Sequence, residues 1–212
     1  GKNIELGLKK DFFDGRWNVT AAALRIKKKN VLTADLDPAH LALNPNAQIQ
    51  LGGVISKGIE LDINGEITPG LNLVFNYALT DATVSEDATP ELVGRHTPNS
   101  AHHINNGWLS YRYQKQGSLL NGFGLNAGYQ IQLDRYAGST SVPLTLPDYY
   151  RFDAGVSYEN GIITIAPVVN NLLDRRLLTQ GSYTKLATET ATSVSYYTYI
   201  YEVPRNARLS IT

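Results

Sequence analysis

The chain has 212 residues, in which 19 lysines and arginines balance 19 aspartates and glutamates, and it has no cysteine. The zero net charge argues against a nucleic-acid-binding domain, which normally carries a basic excess, and the lack of cysteine excludes disulfides and thiolate metal sites. No run of about 18 apolar residues is present, which excludes a transmembrane helix but leaves open a membrane crossed by strands.

Alternation of apolar and polar side chains predicts nine β-strands and no helix. The sixth strand is the clearest, because Phe123, Leu125 and Ala127 alternate with Gly124 and Asn126. Pro167 is irregular inside the eighth, since proline lacks the N–H that a strand ladder needs. In chain order the predicted strands run approximately over Asn3–Lys9, Trp17–Lys27, Val54–Ile63, Leu71–Thr83, Ala101–Tyr113, Phe123–Gln132, Tyr150–Tyr158, Ile162–Asn171 and Arg205–Thr212.

Short turns and long polar connections alternate along the chain. The short turns are Asp14-Gly15, Thr68–Gly70, Gln114–Asn121 and Glu159–Gly161. The long connections are Asn30–Gly53, Ser85–Ser100, Arg135–Pro147 and Arg175–Pro204. Short turns on one rim and long loops on the other are typical of an outer-membrane β-barrel.

A barrel explains why each strand has one apolar and one polar face. Every backbone N–H and C=O must be paired in hydrocarbon, so strands cross a bilayer only as a closed barrel. The apolar face then meets lipid, while Glu60, Asp62, Gln130 and Asp153 stay hydrated in the lumen. A soluble antiparallel sandwich also alternates and is the alternative, although its loops are not expected to segregate by length.

Five segments, in order, resemble those of TonB-dependent siderophore receptors. They are "GKNIELGLKKDFFDGRWNVTAAALRIKKKNV", "SKGIELDINGEITPGLNLVFNYALTDA", "GRHTPNSAHHINNGWLSYRY", "VVNNLLDRR" and "VPRNARLSIT". The resemblance implies an all-β transmembrane antiparallel barrel of about 22 strands. Residues 1–212 would be its C-terminal portion, with about nine strands, and the N-terminal plug domain would be absent from this chain.

The resemblance also implies a function and a location. It implies a receptor in the outer membrane of a Gram-negative bacterium that takes up a ferric siderophore. Energy would come from a TonB-type periplasmic coupling protein acting through the absent N-terminal region. The alternatives are a passive porin-like or structural barrel and a TonB-dependent importer of cobalamin, haem or sugar. An outer-membrane enzyme is disfavoured, because no nucleophile elbow or nucleotide motif is present.

Candidate ligand-binding residues lie in or beside the long loops. Arginine suits bidentate contacts to carboxylates or catecholates, and aromatic rings can stack on a flat iron chelate. Ordinary solvated loop residues, and a tyrosine run that merely extends the last strands, are the alternatives. The candidates are Arg95, His96, Arg135, Tyr136, Tyr196, Tyr197, Tyr199 and Tyr201.

Neither a cofactor nor a protein ligand to a metal is expected, because iron would arrive inside its siderophore. His102 and His103 are neighbours on a strand, so they point to opposite faces and cannot chelate as a pair. The run Lys27-Lys28-Lys29 ends a strand on the presumed outer rim. It could pair with lipopolysaccharide phosphates in the lipid outer leaflet, or it could be an ordinary solvated charge run.

Overall fold

The computed structural model describes residues 1–186 and 194–212. Its strands are β1 Lys2–Phe12, β2 Trp17–Ala34, β3 Gln48–Thr68, β4 Leu71–Glu86, β5 Ser100–Arg112, β6 Phe123–Gly138, β7 Pro143–Leu146, β8 Tyr149–Glu159, β9 Thr164–Asn170, β10 Leu178–Leu186, β11 Val194–Tyr201 and β12 Asn206–Ile211. A short helix, α1, spans Pro38–Leu43, and a single 3₁₀ turn spans Pro90–Leu92. Within the described residues, no helix has both the length and the apolar character that a membrane span needs.

Nine of these strands form one continuous antiparallel sheet. Their order is β1-β2-β3-β4-β5-β6-β8-β9-β12, with β7 paired beside β6. Each strand predicted from the sequence corresponds to one of the nine, so the all-β antiparallel prediction is confirmed. Strands β1 and β12 do not pair with each other in the described part of the chain, so these nine strands do not close into a barrel.

Two neighbouring rows of side chains across the sheet explain the alternation. Directly paired positions on seven strands, from β1 to β8, form a wholly polar row: Lys9, Thr20, Asp62, Asn76, Asn106, Gln130 and Arg151. The next row on β2 to β8 has no charged member: Val19, Ile63, Phe75, Gly107, Tyr129 and Phe152. Because successive side chains point to opposite faces, the sheet has one hydrophilic and one apolar surface.

Several strands are longer than the sequence predicts. Strand β3 begins at Gln48 rather than near Val54, and β2 continues to Ala34 rather than ending near Lys27. Gln48 to Leu51 alternate polar and apolar side chains over only four positions, and two glycines follow, so the sequence assigned them to a long connection rather than to a strand. They are extended because the ladder with β2 continues, for example between Leu32 and Gln50, and pairing with a neighbour overrides weak local propensity.

The connections segregate by length, as predicted. One end of the sheet carries the short connections 13–16, 69–70, 113–122 and 160–163, and the other carries 35–47, 87–99, 139–148 and 171–205. Gly70 shows how tight the short end is, because it adopts φ +81° and a Cβ there would lie 2.3 Å from the Arg112 carbonyl oxygen. We call the end with the long connections the loop rim.

The prediction of no helix is wrong at α1. Asp37 caps this helix by accepting a hydrogen bond from the Ala39 N–H at 2.8 Å, and Pro38 occupies the first turn. A helix of six residues is too short to show an apolar period. The predicted irregularity at Pro167 is confirmed, because the β8–β9 ladder is interrupted between Gly155–Val168 and Tyr158–Ile165.

Candidate ligand-binding rim

A hairpin rich in tyrosine rises from the loop rim. Strands β10 and β11 pair with each other in a separate two-stranded sheet rather than extending the main sheet. Tyr196, Tyr197, Tyr199 and Tyr201 all lie on β11, and each side chain is exposed. Their alternation does continue as a strand, as the alternative interpretation held, but this strand is not an extension of β12. We call β10 and β11 the tyrosine hairpin.

The tyrosine hairpin is attached to the main sheet by a buried arginine. Arg135 on β6 is 4% exposed, and its guanidinium donates to the carbonyl oxygens of Pro147 at 3.1 Å, Leu178 at 2.7 Å and Thr179 at 2.9 Å. It also lies 5.5 Å from the centre of the Tyr149 ring. These three contacts anchor the guanidinium to the base of the hairpin, so the structure gives Arg135 a positioning role.

A small apolar core supports the same attachment. Ala137, Leu146, Tyr149 and Leu177 are buried where β6, β7 and β8 meet the hairpin base. A Cβ at Gly181 on β10 would lie 3.1–3.4 Å from the side chains of Leu144, Leu146 and Ala137. The hairpin therefore rests closely on β6 and β7, and its exposed tyrosines are held at a fixed place on the rim.

A cleft of mixed charge lies at the base of the tyrosine hairpin. Its volume is about 530 Å³, and its walls include Arg175, Arg176 and Tyr201 together with the carboxylates of Asp174 and Glu202. The Arg175 guanidinium lies 5.6 Å from the centre of the Tyr150 ring. The cleft combines cationic and aromatic groups, which is the chemistry that an anionic, partly aromatic chelate would require. Arg175 and Arg176 were not among the predicted ligand contacts, because in the sequence they end the segment "VVNNLLDRR", which carries the family resemblance.

The segment after β11 is held against the polar face of the sheet by an ion-pair network. Arg151 pairs with Asp153 at 2.9 Å and with Glu202 at 2.5 Å, and the Tyr149 hydroxyl donates to the other Glu202 oxygen. Arg151 belongs to the polar row described above, so Glu202 fixes the hairpin to the hydrophilic surface. The three charged side chains are 12–20% exposed, which makes this a shielded network rather than a solvated surface pair.

A second cluster forms where the 87–99 connection returns to the sheet. Thr83 and His96 form a bridge beside β4, and His96 stacks on Tyr136 with ring centres 4.2 Å apart. His102 meets the same tyrosine edge-on at 5.3 Å, and Asp81 lies beside both imidazoles. We call Asp81, His96, His102 and Tyr136 the junction cluster.

The junction cluster brings together two predicted candidates, His96 and Tyr136, and adds Asp81, which the sequence did not single out, and His102, which was considered there only as a pair with His103. Arg95 lies next to it and donates to the carbonyl oxygens of Thr140 and Ser141, tying the 87–99 and 139–148 connections together. His103 faces elsewhere, at 2.8 Å from the Tyr77 hydroxyl. The separation of His102 from His103 is as expected for strand neighbours, but His102 finds its partners on other segments.

The 35–47 connection has its own ion pair. The His40 Nδ1 lies 2.7 Å from an Asp35 carboxylate oxygen. The Asp37 backbone N–H and then the His40 ring hold the pKa of Asp35 below its usual range, and the Asp35 carboxylate raises the pKa of His40. The pair joins the end of β2 to α1 and so fixes the start of this long loop.

The family model and the curated relatives that match this chain point to the same protein family. The family described as TonB dependent receptor-like, beta-barrel matches residues 1–172. The metal-pseudopaline receptor CntO of Pseudomonas aeruginosa is 35% identical over 83% of this chain and 24% of its own length. The probable TonB-dependent siderophore receptor PiuA of Acinetobacter baumannii is 27% identical over 89% of this chain and 25% of its own.

Solved structures agree on the fold. The crystal structure of PiuA from Acinetobacter baumannii matches with a TM-score of 0.74 and 24% identity, over 99% of this chain and 28% of that one. FpvA of Pseudomonas aeruginosa bound to a heterologous pyoverdine matches with a TM-score of 0.73 and 19% identity, over 99% of this chain and 26% of its own. The chain thus spans about a quarter of the length of the curated relatives it matches.

Proposed function

Because the chain belongs to the TonB-dependent receptor-like β-barrel family, we propose that it is the C-terminal portion of the barrel of a ferric-siderophore receptor. The family consists of outer-membrane barrels of Gram-negative bacteria that act as receptors and transporters rather than as enzymes. The N-terminal plug and the segment that contacts a TonB-type coupling protein belong, in this proposal, to the rest of the polypeptide. We call that whole polypeptide the intact receptor.

The observation that carries the proposal is the chemistry of the loop rim. Four exposed tyrosines on the tyrosine hairpin stand above a cleft that contains Arg175 and Arg176. A ferric siderophore presents flat, partly apolar ligand groups around a metal and commonly carries anionic oxygens. Aromatic faces would cover the former and guanidinium forks would bind the latter.

The candidate residues divide by role. Tyr196, Tyr197, Tyr199 and Tyr201 would contact the ligand, together with Arg175 and Arg176. Arg95, His96 and Tyr136 lie where two loops meet and would shape the opposite wall of the entrance. Arg135 would act by holding the hairpin in place.

The different polarity of the two faces of the sheet supports lipid as the partner of one face and water as the partner of the other. The apolar row faces lipid in this proposal, and the polar row lines the lumen. Lys28 and Lys29 are exposed at the loop end of β2, whereas Lys27 pairs with Glu86 at 2.7 Å. We assign Lys29 to contacts with lipopolysaccharide phosphates at this level of the outer leaflet, because Lys28 lies on the same face of β2 as Thr20 and so on the lumen face.

A second ligand class is favoured by one relative. CntO is named a metal-pseudopaline receptor, a name that does not restrict its cargo to iron. A chelate of another transition metal would satisfy the same aromatic and cationic rim. A passive porin, or an importer of cobalamin, haem or sugar, has no such observation in its favour here.

The test is ligand binding by the intact receptor, purified in detergent. Catecholate, hydroxamate and mixed siderophores, each loaded with Fe³⁺, Ni²⁺ or Zn²⁺, would be titrated while intrinsic fluorescence is followed. We expect saturable binding of one ferric chelate, weakened about tenfold by Tyr199→Ala, since a well-packed aromatic contact contributes about 0.5–1.5 kcal/mol beyond its buried area. Tyr158→Ala, at the end of the sheet with the short turns, is the matched control and should leave affinity unchanged.

The possible outcomes separate the candidate functions. Preference for a Ni²⁺ or Zn²⁺ chelate would favour the second ligand class. Uptake in cells should require the proton-motive force, and steady single-channel conductance without energy would replace the receptor with a porin.

A further inference from the structure

We propose that the junction cluster is a binding site for a free divalent transition-metal ion of the Zn²⁺ class. Asp81, His96 and His102 each offer one ligand atom, and these three atoms all lie within 4.8 Å of one another. The inference concerns an ion bound by the protein itself. It is independent of which chelate, if any, the loop rim captures.

The distances fit a metal site. His96 Nδ1 and His102 Nε2 lie 3.3 Å and 3.6 Å from the same Asp81 oxygen. A tetrahedral Zn²⁺ site with bonds of about 2.0–2.2 Å places neighbouring ligand atoms roughly 3.4 Å apart. These two separations match edges of such a site, and the third, between the two imidazole nitrogens, is no more than 4.8 Å. One coordination position would be left for water or another small donor.

The two imidazole nitrogens are otherwise unsatisfied. Both are shielded from solvent, and neither has a hydrogen-bond partner among the residues that the structure describes. Buried polar atoms without partners are uncommon and costly. A cation between the two imidazoles and the Asp81 carboxylate would satisfy all three groups together.

The ligand set also selects the kind of metal. Two imidazoles and one carboxylate suit Zn²⁺ and its neighbours in the transition series, whereas Mg²⁺ and Ca²⁺ prefer oxygen ligands. Tyr136 covers one side, stacked on His96 and edge-on to His102. This apolar ring excludes water from that side and strengthens the attraction between cation and carboxylate.

The ion would have a structural consequence for the rim. Asp81 lies on β4, His102 on β5, and His96 on the returning end of the 87–99 connection. A bound ion would join the three segments and hold this connection against the sheet. Arg95, one residue away, would then be fixed where it bridges to the 139–148 connection.

The experiment uses the intact receptor, first stripped with a chelator. Zn²⁺ would be titrated against a chromophoric competitor, and the wild type compared with His96→Gln, His102→Gln and Asp81→Asn. The matched control is His103→Gln, which changes the adjacent strand histidine and leaves the junction cluster intact. We expect each of the three ligand variants to lose one equivalent of Zn²⁺, or to bind it at least about tenfold more weakly, while the control binds as the wild type does.

A second readout needs no variant. Backbone amide exchange in residues 87–99 of the wild type should slow when Zn²⁺ is added and recover when it is removed. The proposal is overturned if the ligand variants bind Zn²⁺ with wild-type stoichiometry and affinity, or if Zn²⁺ leaves exchange in 87–99 unchanged. A loss of binding that is equal in His103→Gln would also overturn it.

Discussion

At the loop rim, the structural role of a residue cannot be read from its residue type alone. Arg135 was a plausible ligand contact because arginine recognises anions, yet its fork is directed at three carbonyl oxygens inside the fold. A buried cation of this kind is tolerated because five N–H donors can satisfy several acceptors at once. The sequence shows the residue type, but only the structure shows which oxygens its donors reach.

Replacing Arg135 with lysine should loosen the tyrosine hairpin. An ammonium group cannot reproduce the fork geometry, and leaving buried acceptors unpaired costs about 1–3 kcal/mol. Amide exchange on β10 and β11 of the intact receptor should then quicken roughly five- to 150-fold if it proceeds by local opening. The control is Arg112→Lys at the opposite end, where the pair with Glu159 is exposed. Equal protection in both variants would show that Arg135 does not hold the hairpin.

The Asp35–His40 pair should make the 35–47 loop sensitive to pH. The lowered pKa of Asp35 gives stability that is present above about 3.8 and lost as pH falls through its folded pKa. The raised pKa of His40 gives stability that is present below about 6.5 and lost as pH rises through its folded pKa. The protection of the loop amides, expressed as exchange rates corrected for the intrinsic dependence of exchange on pH, should therefore be greatest between these limits.

The His40 titration itself is measurable by NMR on histidine-labelled receptor. Its midpoint should lie above 6.5 in the wild type and return towards that value in Asp35→Asn. A midpoint unaffected by Asp35→Asn would mean that the carboxylate does not act on the imidazole. His40→Gln identifies the signal.

At the scale of the strands, the two faces of the sheet determine what each position tolerates. Leu61 and Tyr77 are paired on the apolar face and line a shallow apolar groove there. Glu60, one residue earlier on β3, has a side chain that points to the other face. Neighbouring positions on one strand should therefore respond in opposite ways to the same substitution.

Leu61→Arg should destabilise the barrel of the intact receptor in lipid vesicles. A lipid-facing arginine costs about 2–4 kcal/mol near the bilayer midplane and less towards the interfaces. Glu60→Arg is the matched control, because it places the same side chain in the lumen and should change the free energy of unfolding by no more than about 0.5 kcal/mol. Denaturant titration would measure both. Similar losses would contradict the assignment of lipid and lumen faces.

At the scale of the whole molecule, the sheet has two open edges. Strands β1 and β12 each carry a row of backbone donors and acceptors without a strand partner among the described residues. Because nine consecutive antiparallel strands would bring the first and last together in parallel, closing this sheet on itself is unfavourable. Unpaired edges are costly in lipid and promote aggregation in water.

Residues 1–212 expressed alone should therefore not form a stable monomeric barrel. We expect aggregation after refolding into vesicles, in contrast to the intact receptor refolded identically. Analytical ultracentrifugation in detergent, with amide exchange on β1 and β12, would measure this. A protected, monomeric nine-stranded species would contradict the prediction and the assignment of this chain as part of a larger barrel.

The nine strands of the main sheet, its two faces and the separation of short turns from long loops could be predicted from the sequence, whereas β7, β10 and β11 lie inside predicted long connections. These features follow from local chemistry, since a strand with lipid on one side and water on the other must alternate at every second residue. The helix α1 was not predicted because six residues are too few to show a helical period. The first residues of β3 were not predicted because their pairing with β2 is what makes them extended.

Which loop residues come into contact depends on the tertiary structure. Asp81, His96 and His102 meet although no local spacing links them, because the 87–99 connection folds back beside β4. The separate pairing of the tyrosine hairpin and the burial of Arg135 likewise depend on contacts between segments distant in sequence. Local pattern records the solvent that each residue faces, whereas the partners of a loop residue depend on the path of the whole chain.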